Sequence, residues 1–331
     1  MNNYPPQILV EMAAGGPVSG ADVANALGVT RAAIWKQVQG LRARGLPVGS
    51  RGTTGYQLEW PLQLLDAAAI RAALPAGVAK RLGALEIHWE LDSTSDELQR
   101  RGGAAHDLSI VLAETQTAGR GRRGRDWISP PGMNLYLSCL KRFDGGFAAL
   151  SGLSLAVGTI VLRTLETLGI AGAGLKWPND VLAAGKGNKG GKLAGILVEL
   201  SGEYRGPCAA IIGIGLNLRV TPALRAQAGQ PVCDLASLNG GTPPDRNVVV
   251  AVLIAALADG LQEFERRGFV DFRDDYARHD LLRNQPLHVT SAQGTFDGTG
   301  AGVDARGALR LRQEDGRIRT VDSADVSVRR A

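Results

Sequence analysis

Cysteine and histidine are both scarce: three of one and four of the other in 331 residues. Cys139, Cys208 and Cys233 are odd in number, far apart and in no C-x-x-C pair. That argues against a disulfide framework or a zinc site, and predicts core thiols in a reducing compartment. Four histidines, no G-x-S-x-G elbow and no Cys/His constellation leave little for nucleophilic or histidine general-base catalysis. Long apolar runs are broken by Gly, Arg or Glu, and Met1-Asn2-Asn3-Tyr4-Pro5-Pro6 has neither a basic n-region nor an apolar h-region. A cytoplasmic chain with no membrane span is expected. Internal repeats and long low-complexity tracts are also missing.

Glycine and arginine, by contrast, are concentrated in one place. Gly119-Arg120-Gly121-Arg122-Arg123-Gly124-Arg125-Asp126-Trp127 packs three glycines and four arginines into seven residues. Glycines let a backbone approach a ligand and turn N–H groups into a nest, and guanidinium groups offer forks for phosphate or carboxylate. The G-x-G-x-x-G spacing after an apparent strand at 109–114 imitates a dinucleotide fingerprint. Ser129-Pro130-Pro131-Gly132 follows too soon for the helix that fingerprint needs. A solvated basic loop is the plain alternative. Yet four mutually repelling arginines on a glycine backbone cost entropy and electrostatic energy unless an anion orders them. The loop is therefore read as a disorder-to-order clamp, loose when empty and closing on a phosphate-bearing ligand.

The length predicts two or three domains, and 44% apolar with 21% charged residues is ordinary for globular protein. A net charge of +5 permits nucleic-acid binding without requiring it. After a short apolar helix at 7–14, Ser19 and Thr30 are N-cap residues for two helices parted at Gly28, with Ile34, Val38 and Leu41 as the buried stripe. This is a helix-turn-helix whose second helix turns Arg31, Trp35, Lys36, Gln39 and Arg42 outward. Strands at 46–48 and 56–58 around Gly49 to Gly55 form a wing, with Arg51 placed for a phosphate. Trp35 has two readings, contact with thymine methyls or a sugar, or packing on a neighbouring domain.

Further along, a helix is expected over 64–74 and a strand over 85–91. Asp92-Ser93-Thr94-Ser95 then caps a helix beginning near Asp96, either as plain caps or as hydroxyls offered to a ligand. A strand at 133–140 and a long apolar helix at 147–168 follow. Lys176, at once followed by Trp177-Pro178-Asn179-Asp180, is a candidate to face an anion, with an ordinary strand-end lysine as the alternative. The stretch from Gly185 to Lys192 fails the phosphate-loop pattern and reads as a hairpin tip. Paired strands at 193–200 and 209–218 carry Gly213-Ile214-Gly215-Leu216-Asn217, where glycines would let a flat ligand approach. Helices at 248–264 and 270–276 precede short glycine-broken strands from 285 onward, a small barrel of SH3-like size.

A winged helix, Asp92-Ser93-Thr94, Gln116 to Arg125, Lys176 to Asp180, Lys192-Leu193-Ala194-Gly195-Ile196-Leu197-Val198-Glu199 and Gly213 to Asn217, in that order, closely resemble the bifunctional biotin protein ligase and biotin-operon repressor family. The resemblance runs over nearly the whole chain. It implies an α+β multidomain protein: a winged helix-turn-helix over 1–61, a mixed-sheet catalytic domain like the biotinyl/lipoyl ligases over 62–280, and an SH3-like β domain over 281–331. It implies biotin, ATP and Mg2+, formation of biotinyl-5′-AMP, and transfer to a lysine of a biotin carboxyl carrier protein, a subunit of acetyl-CoA carboxylase. It also implies operator DNA and a ligand-promoted homodimer, and no protein-held metal. In that family Ser93, Thr94, Ser95, Gln116, Arg120, Gly121, Arg122 and Lys176 would bind biotin, Lys176 and Arg122 acting in catalysis. Gly119, Arg123, Trp127, Asn179 and Asn217 would meet the nucleotide, and Arg31, Trp35, Lys36, Gln39, Arg42 and Arg51 the DNA. Where the family often has Asn, this chain has Ser95. Alternatives are a ligand-sensing regulator without transfer activity, and a ligase for lipoate.

Overall fold

The computed structural model describes residues 4–184, 190–291, 294–322 and 327–330. Helices α1 (Gln7–Ala13), α2 (Gly20–Leu27) and α3 (Arg31–Ala43) open the chain, and a hairpin of β1 (Val48–Ser50) and β2 (Tyr56–Leu58) follows. Ser19 and Thr30 cap α2 and α3 as expected, each side chain accepting a backbone N–H, and Gly28 ends α2 in the left-handed region. Ile34, Val38 and Leu41 are fully buried. Gly55 lets the wing close: a Cβ there would lie 2.0 Å from the Val18 carbonyl oxygen, and its φ is +109°.

The middle of the chain runs α4 (Ala67–Ala73), α5 (Ala76–Arg81), β3 (Leu85–Leu91), α6 (Thr94–Arg101), β4 (Ile110–Gln116), β5 (Leu135–Phe143), α7 (Leu153–Thr167), β6 (Ala173–Lys176), β7 (Asp180–Ala183), β8 (Lys192–Gly202) and β9 (Cys208–Leu216). Helices α8 (Pro222–Gln227), α9 (Leu235–Leu238), α10 (Arg246–Arg267) and α11 (Arg273–His279) complete it. Seven strands form one mixed sheet in the order β3-β4-β5-β9-β8-β7-β6, with β3 and β4 parallel and the other neighbours antiparallel. Alternation assigns the faces: Ile110 and Leu112 join the large core with α7 and α10, whereas Val111 and Ala113 join a smaller cluster with Leu98 of α6.

Several boundaries differ from the sequence reading. The helix expected over 147–168 is a 3₁₀ turn at Phe147–Leu150 and then α7, because Gly152 takes φ +81° between them. The helix expected from Leu64 starts at Ala67, where the Asp66 carboxylate caps Ala68 and Ala69. The segment Arg246–His279 is long and apolar enough to cross a membrane by length and composition, yet 61% of its most apolar stretch is buried inside the fold, as in a core helix. Most of the hairpin tip expected over 185–191 lies outside the described residues.

The last five strands, β10 (Pro286–Ser291), β11 (Gly294–Val303), β12 (Leu309–Arg312), β13 (Ile318–Val321) and β14 (Ser327–Arg330), make an antiparallel sheet in the order β13-β12-β11-β10-β14. The buried Trp177 indole donates to the Gly307 carbonyl at 3.0 Å and so ties this sheet to the β6–β7 turn.

Candidate functional site

Two cavities meet over the middle of the seven-stranded sheet. The inner one, about 50 Å³, has a hydrogen-bonding end made by Ser93, Thr94 and Ser95 at the start of α6 and Gln116 at the end of β4. Its floor is Leu137, Ile214 and the glycines 195, 213 and 215. The outer cleft, about 830 Å³, is lined by Arg122, Arg123, Arg125, Lys176 and Lys192, with only Asp126 and Asp180 to oppose five cations. Arg122 and Lys192 are the two cations, among the described residues, that line both spaces.

The parallel β3–β4 pairing sets the polar end, because it carries the start of α6 alongside Gln116. The Thr94 N–H donates to Gln116 Oε1 at 2.9 Å, and the Thr94 hydroxyl donates to the same oxygen at 3.2 Å. Gln116 Nε2 donates to Ser129 Oγ at 3.2 Å, and the Ser129 hydroxyl to the Trp127 carbonyl at 3.0 Å. Ser138 of β5, fully buried, was not singled out by the sequence; it lies 2.7 Å from Thr94 Oγ1 and 3.0 Å from Ser95 Oγ. Such a network fixes which lone pairs and hydrogens face the pocket. Ser93 is the N-cap of α6, its oxygen accepting from the Asp96 N–H at 3.3 Å, so the capping reading holds, while the hydroxyl also lines the pocket.

Above the sheet, the arginine-glycine loop is folded as a flap. Trp127 N–H donates to the Gly119 carbonyl at 2.8 Å and Gly121 N–H to the Arg125 carbonyl at 2.7 Å, with Arg123 at φ +61° between them. Arg120 pairs with Asp96 of α6 and, at 3.1 Å, with Glu199 of β8. The Trp127 indole lies on the glycine floor: a Cβ on Gly215 would come within 2.3 Å of it. Of the two glycines expected to admit a flat ligand, Gly215 thus admits this ring, together with Gly195, whereas a Cβ on Gly213 would stand 3.0 Å from Ser95 Oγ. Trp127 Nε1 is buried and has no hydrogen-bond partner among the described residues.

Lys192, at the start of β8, is the other residue not singled out as a site residue. Its amine is 2.8 Å from Asp180 Oδ1 and 5.2 Å from the centre of the Trp127 ring, and its side chain is 15% exposed. Sequence reasoning placed it only inside a motif, since its position depends on the antiparallel β7–β8 register that sets Asp180 against Gly195. Lys176 lines the outer cleft alone and Asn179 lines both spaces. Gly119 and Asn217 line neither. Gly119 is packed behind the flap, where a Cβ would meet the Trp127 carbonyl at 2.7 Å, and Asn217 donates its side-chain amide to the Lys192 carbonyl at 3.1 Å, bracing that lysine's strand.

In the winged helix, Arg31, Trp35 and Lys36 are exposed on α3, and Arg51 is exposed on the wing, bonded to Gln57 at 2.9 Å. Arg42 is turned inward instead: its Nε donates to the Val48 carbonyl at 2.8 Å and its guanidinium sits 5.9 Å over the Tyr56 ring, bracing helix against wing. Gln39 is half-buried beside it.

Comparison with known proteins gives three family models, an HTH domain over residues 7–57, the Biotin/lipoate A/B protein ligase family over 90–217 and the Biotin protein ligase C terminal domain over 284–329. The bifunctional ligase/repressor BirA of Escherichia coli (strain K12) is 36% identical over 330 residues, covering 100% of this chain and 98% of that one. The biotin–[acetyl-CoA-carboxylase] ligase of Mycobacterium tuberculosis is 32% identical, covering 79% of this chain and 95% of its own. Among solved structures, a biotin protein ligase from Aquifex aeolicus in complex with biotin and ATP superposes with a TM-score of 0.63 at 28% identity, over 75% of this chain and 99% of that one.

Proposed function

The chain belongs to the BirA family of bifunctional biotin ligases and repressors, and from that premise we propose how its own residues divide the work. The ligase forms biotinyl-5′-AMP from biotin and MgATP and passes the biotinyl group to a lysine of a carboxyl carrier protein. Biotin's ureido ring sits against Ser93, Thr94, Ser95 and Gln116, and its carboxylate reaches the neck between Lys192 and Arg122. The nucleotide lies in the outer cleft, its phosphates among Arg123, Arg125 and Lys176, and Asn179 and Trp127 border both ligands. Mg2+ arrives on the nucleotide.

The observation that carries this reading is the neck. A hydrogen-bonding pocket opens into a cationic cleft at the point where two cations serve both. The carboxylate is itself the nucleophile toward the α-phosphate, so the chain needs no nucleophile of its own. Its task is to hold the reactants in line and offset negative charge at the phosphorus and at the acyl oxygen. Lys192 exchanges Asp180 for biotin's carboxylate. Arg120, tied to α6 and β8, holds the flap down and keeps water from the mixed anhydride. The pocket's donors and acceptors suit a ureido group and have no counterpart in the dithiolane of lipoate.

Arg31, Lys36 and Arg51 meet operator phosphates, and the repressor form is a ligand-promoted homodimer. The three functional units divide at about residues 61 and 280. Purified protein given biotin and MgATP should release pyrophosphate and add one biotin mass to a carrier domain, and lipoate should not replace biotin. Undiminished pyrophosphate release by both Lys192→Ala and Arg122→Glu would show that the neck is not where adenylation occurs.

A further inference from the structure

The cleft between α3 and the wing, about 520 Å³, has Ala21, Ala32 and Trp35 on one wall and Ser50, Thr53 and Tyr56 on the other. Trp35 is 53% exposed, the largest apolar group on the face that a recognition helix turns to DNA, and among the described residues it is not buried against another domain. Two neighbours that could read bases are used inside the protein. Arg42 is held by Val48 and Tyr56. Gln39, with its amide oxygen turned toward them, accepts from Arg42 at 3.1 Å and from Trp35 Nε1 at 3.3 Å.

That arrangement fixes the indole and satisfies its only polar atom, so what Trp35 offers outward is hydrocarbon. Ala32, three residues earlier on the same exposed face, extends the apolar strip by a methyl group. Arg31, Lys36 and Arg51 flank it with positive charge suited to phosphates. In the major groove the one apolar feature of a base edge is the C5-methyl of thymine. We infer that Trp35, held by Gln39 and aided by Ala32, sets operator specificity by contacting thymine methyl groups, with no hydrogen bond from the indole to a base. The inference rests on the DNA-binding reading above.

The test starts from a randomised duplex library selected with the full chain in the presence of biotin and MgATP. Recovered sites are then resynthesised with thymine replaced by deoxyuridine one position at a time, which deletes only the methyl. Each contacted thymine should weaken binding about fourfold when so replaced, the equivalent of one buried methylene-sized group. Trp35→Ala should bind the thymine and deoxyuridine duplexes equally, and Trp35→Phe should keep part of the discrimination. Lys36→Ala should weaken both duplexes by the same factor. Sites that are enriched yet indifferent to the methyl at every position, or discrimination that survives Trp35→Ala, would overturn the inference while leaving DNA binding intact. A pool with no enriched sequence would sink the DNA-binding reading and this inference together.

Discussion

At the scale of single residues, the site is governed by which charges face each other. Lys192 is held against Asp180 within a largely enclosed neck, where a point charge acts through less water than at the surface. Removing one preorganised charge of this kind costs about 100- to 1,000-fold in rate. Lys192→Ala should therefore slow pyrophosphate release by that order, with the loss in kcat exceeding any rise in KM for biotin. Asp92 offers a second, independent measurement. Two hydrogen bonds from Arg100, at 2.8 and 2.9 Å, hold its carboxyl down at about 2, with partial burial opposing and the Ser93 N–H assisting. A depressed carboxyl stabilises the fold above its unfolded value, about 3.9, and that contribution is lost as pH falls from there toward 2. A carbon-detected NMR titration should find the Asp92 midpoint near 2, and Arg100→Ala should return it toward the ordinary carboxylate range.

At the scale of elements, the flap and the sheet must fit each other. Because a Cβ on Gly215 would lie 2.3 Å from the Trp127 ring, Gly215→Ala should lift the indole and the flap with it. Amide exchange across 119–127 should quicken, and adenylation should fall by up to about 100-fold, the usual consequence of an ångström of misplacement. Unchanged exchange would mean that the flap is seated by Arg120 alone. The glycine-arginine loop stood out in the sequence because its residues are neighbours in the chain, and so did the Ser19, Thr30 and Ser93 caps, whose partners lie three residues away. The strand order was not legible, since β5 meets β9 across a long excursion through α7, β6, β7 and β8. Lys192 and Ser138 were missed for that reason: each gains its role from a register, not from a neighbour in sequence. The 147–168 helix was overextended because a single left-handed glycine, Gly152, outweighed an unbroken apolar pattern.

At the scale of the whole molecule, the winged helix is not a loose appendage. Its core cluster includes Trp89, Met133, Val220 and Leu224, and Arg44 pairs with Glu90 at 2.6 Å on the strand that leads to Ser93. The linker behind the winged helix is fastened by a buried ion pair. Glu114 of β4 accepts from the Leu65 N–H at 2.5 Å and from Arg246 at 2.8 Å, both side chains being 5% exposed, while Arg246 also donates to the Gln63 carbonyl at 2.5 Å and the Asn134 carbonyl at 2.8 Å. Removing one member of such a pair leaves a buried charge without its counter-charge and costs about 3–5 kcal/mol, whereas replacing both by apolar residues of similar volume is often neutral. Glu114→Gln and Arg246→Met should each lower the unfolding free energy read from urea titration by that order, and Glu114→Leu combined with Arg246→Met should recover much of it. Since Glu114 stands two residues before Gln116, the single variants should also weaken biotin binding. A double variant that regains stability but not biotin affinity would separate the knot's role in the site from its role in the fold.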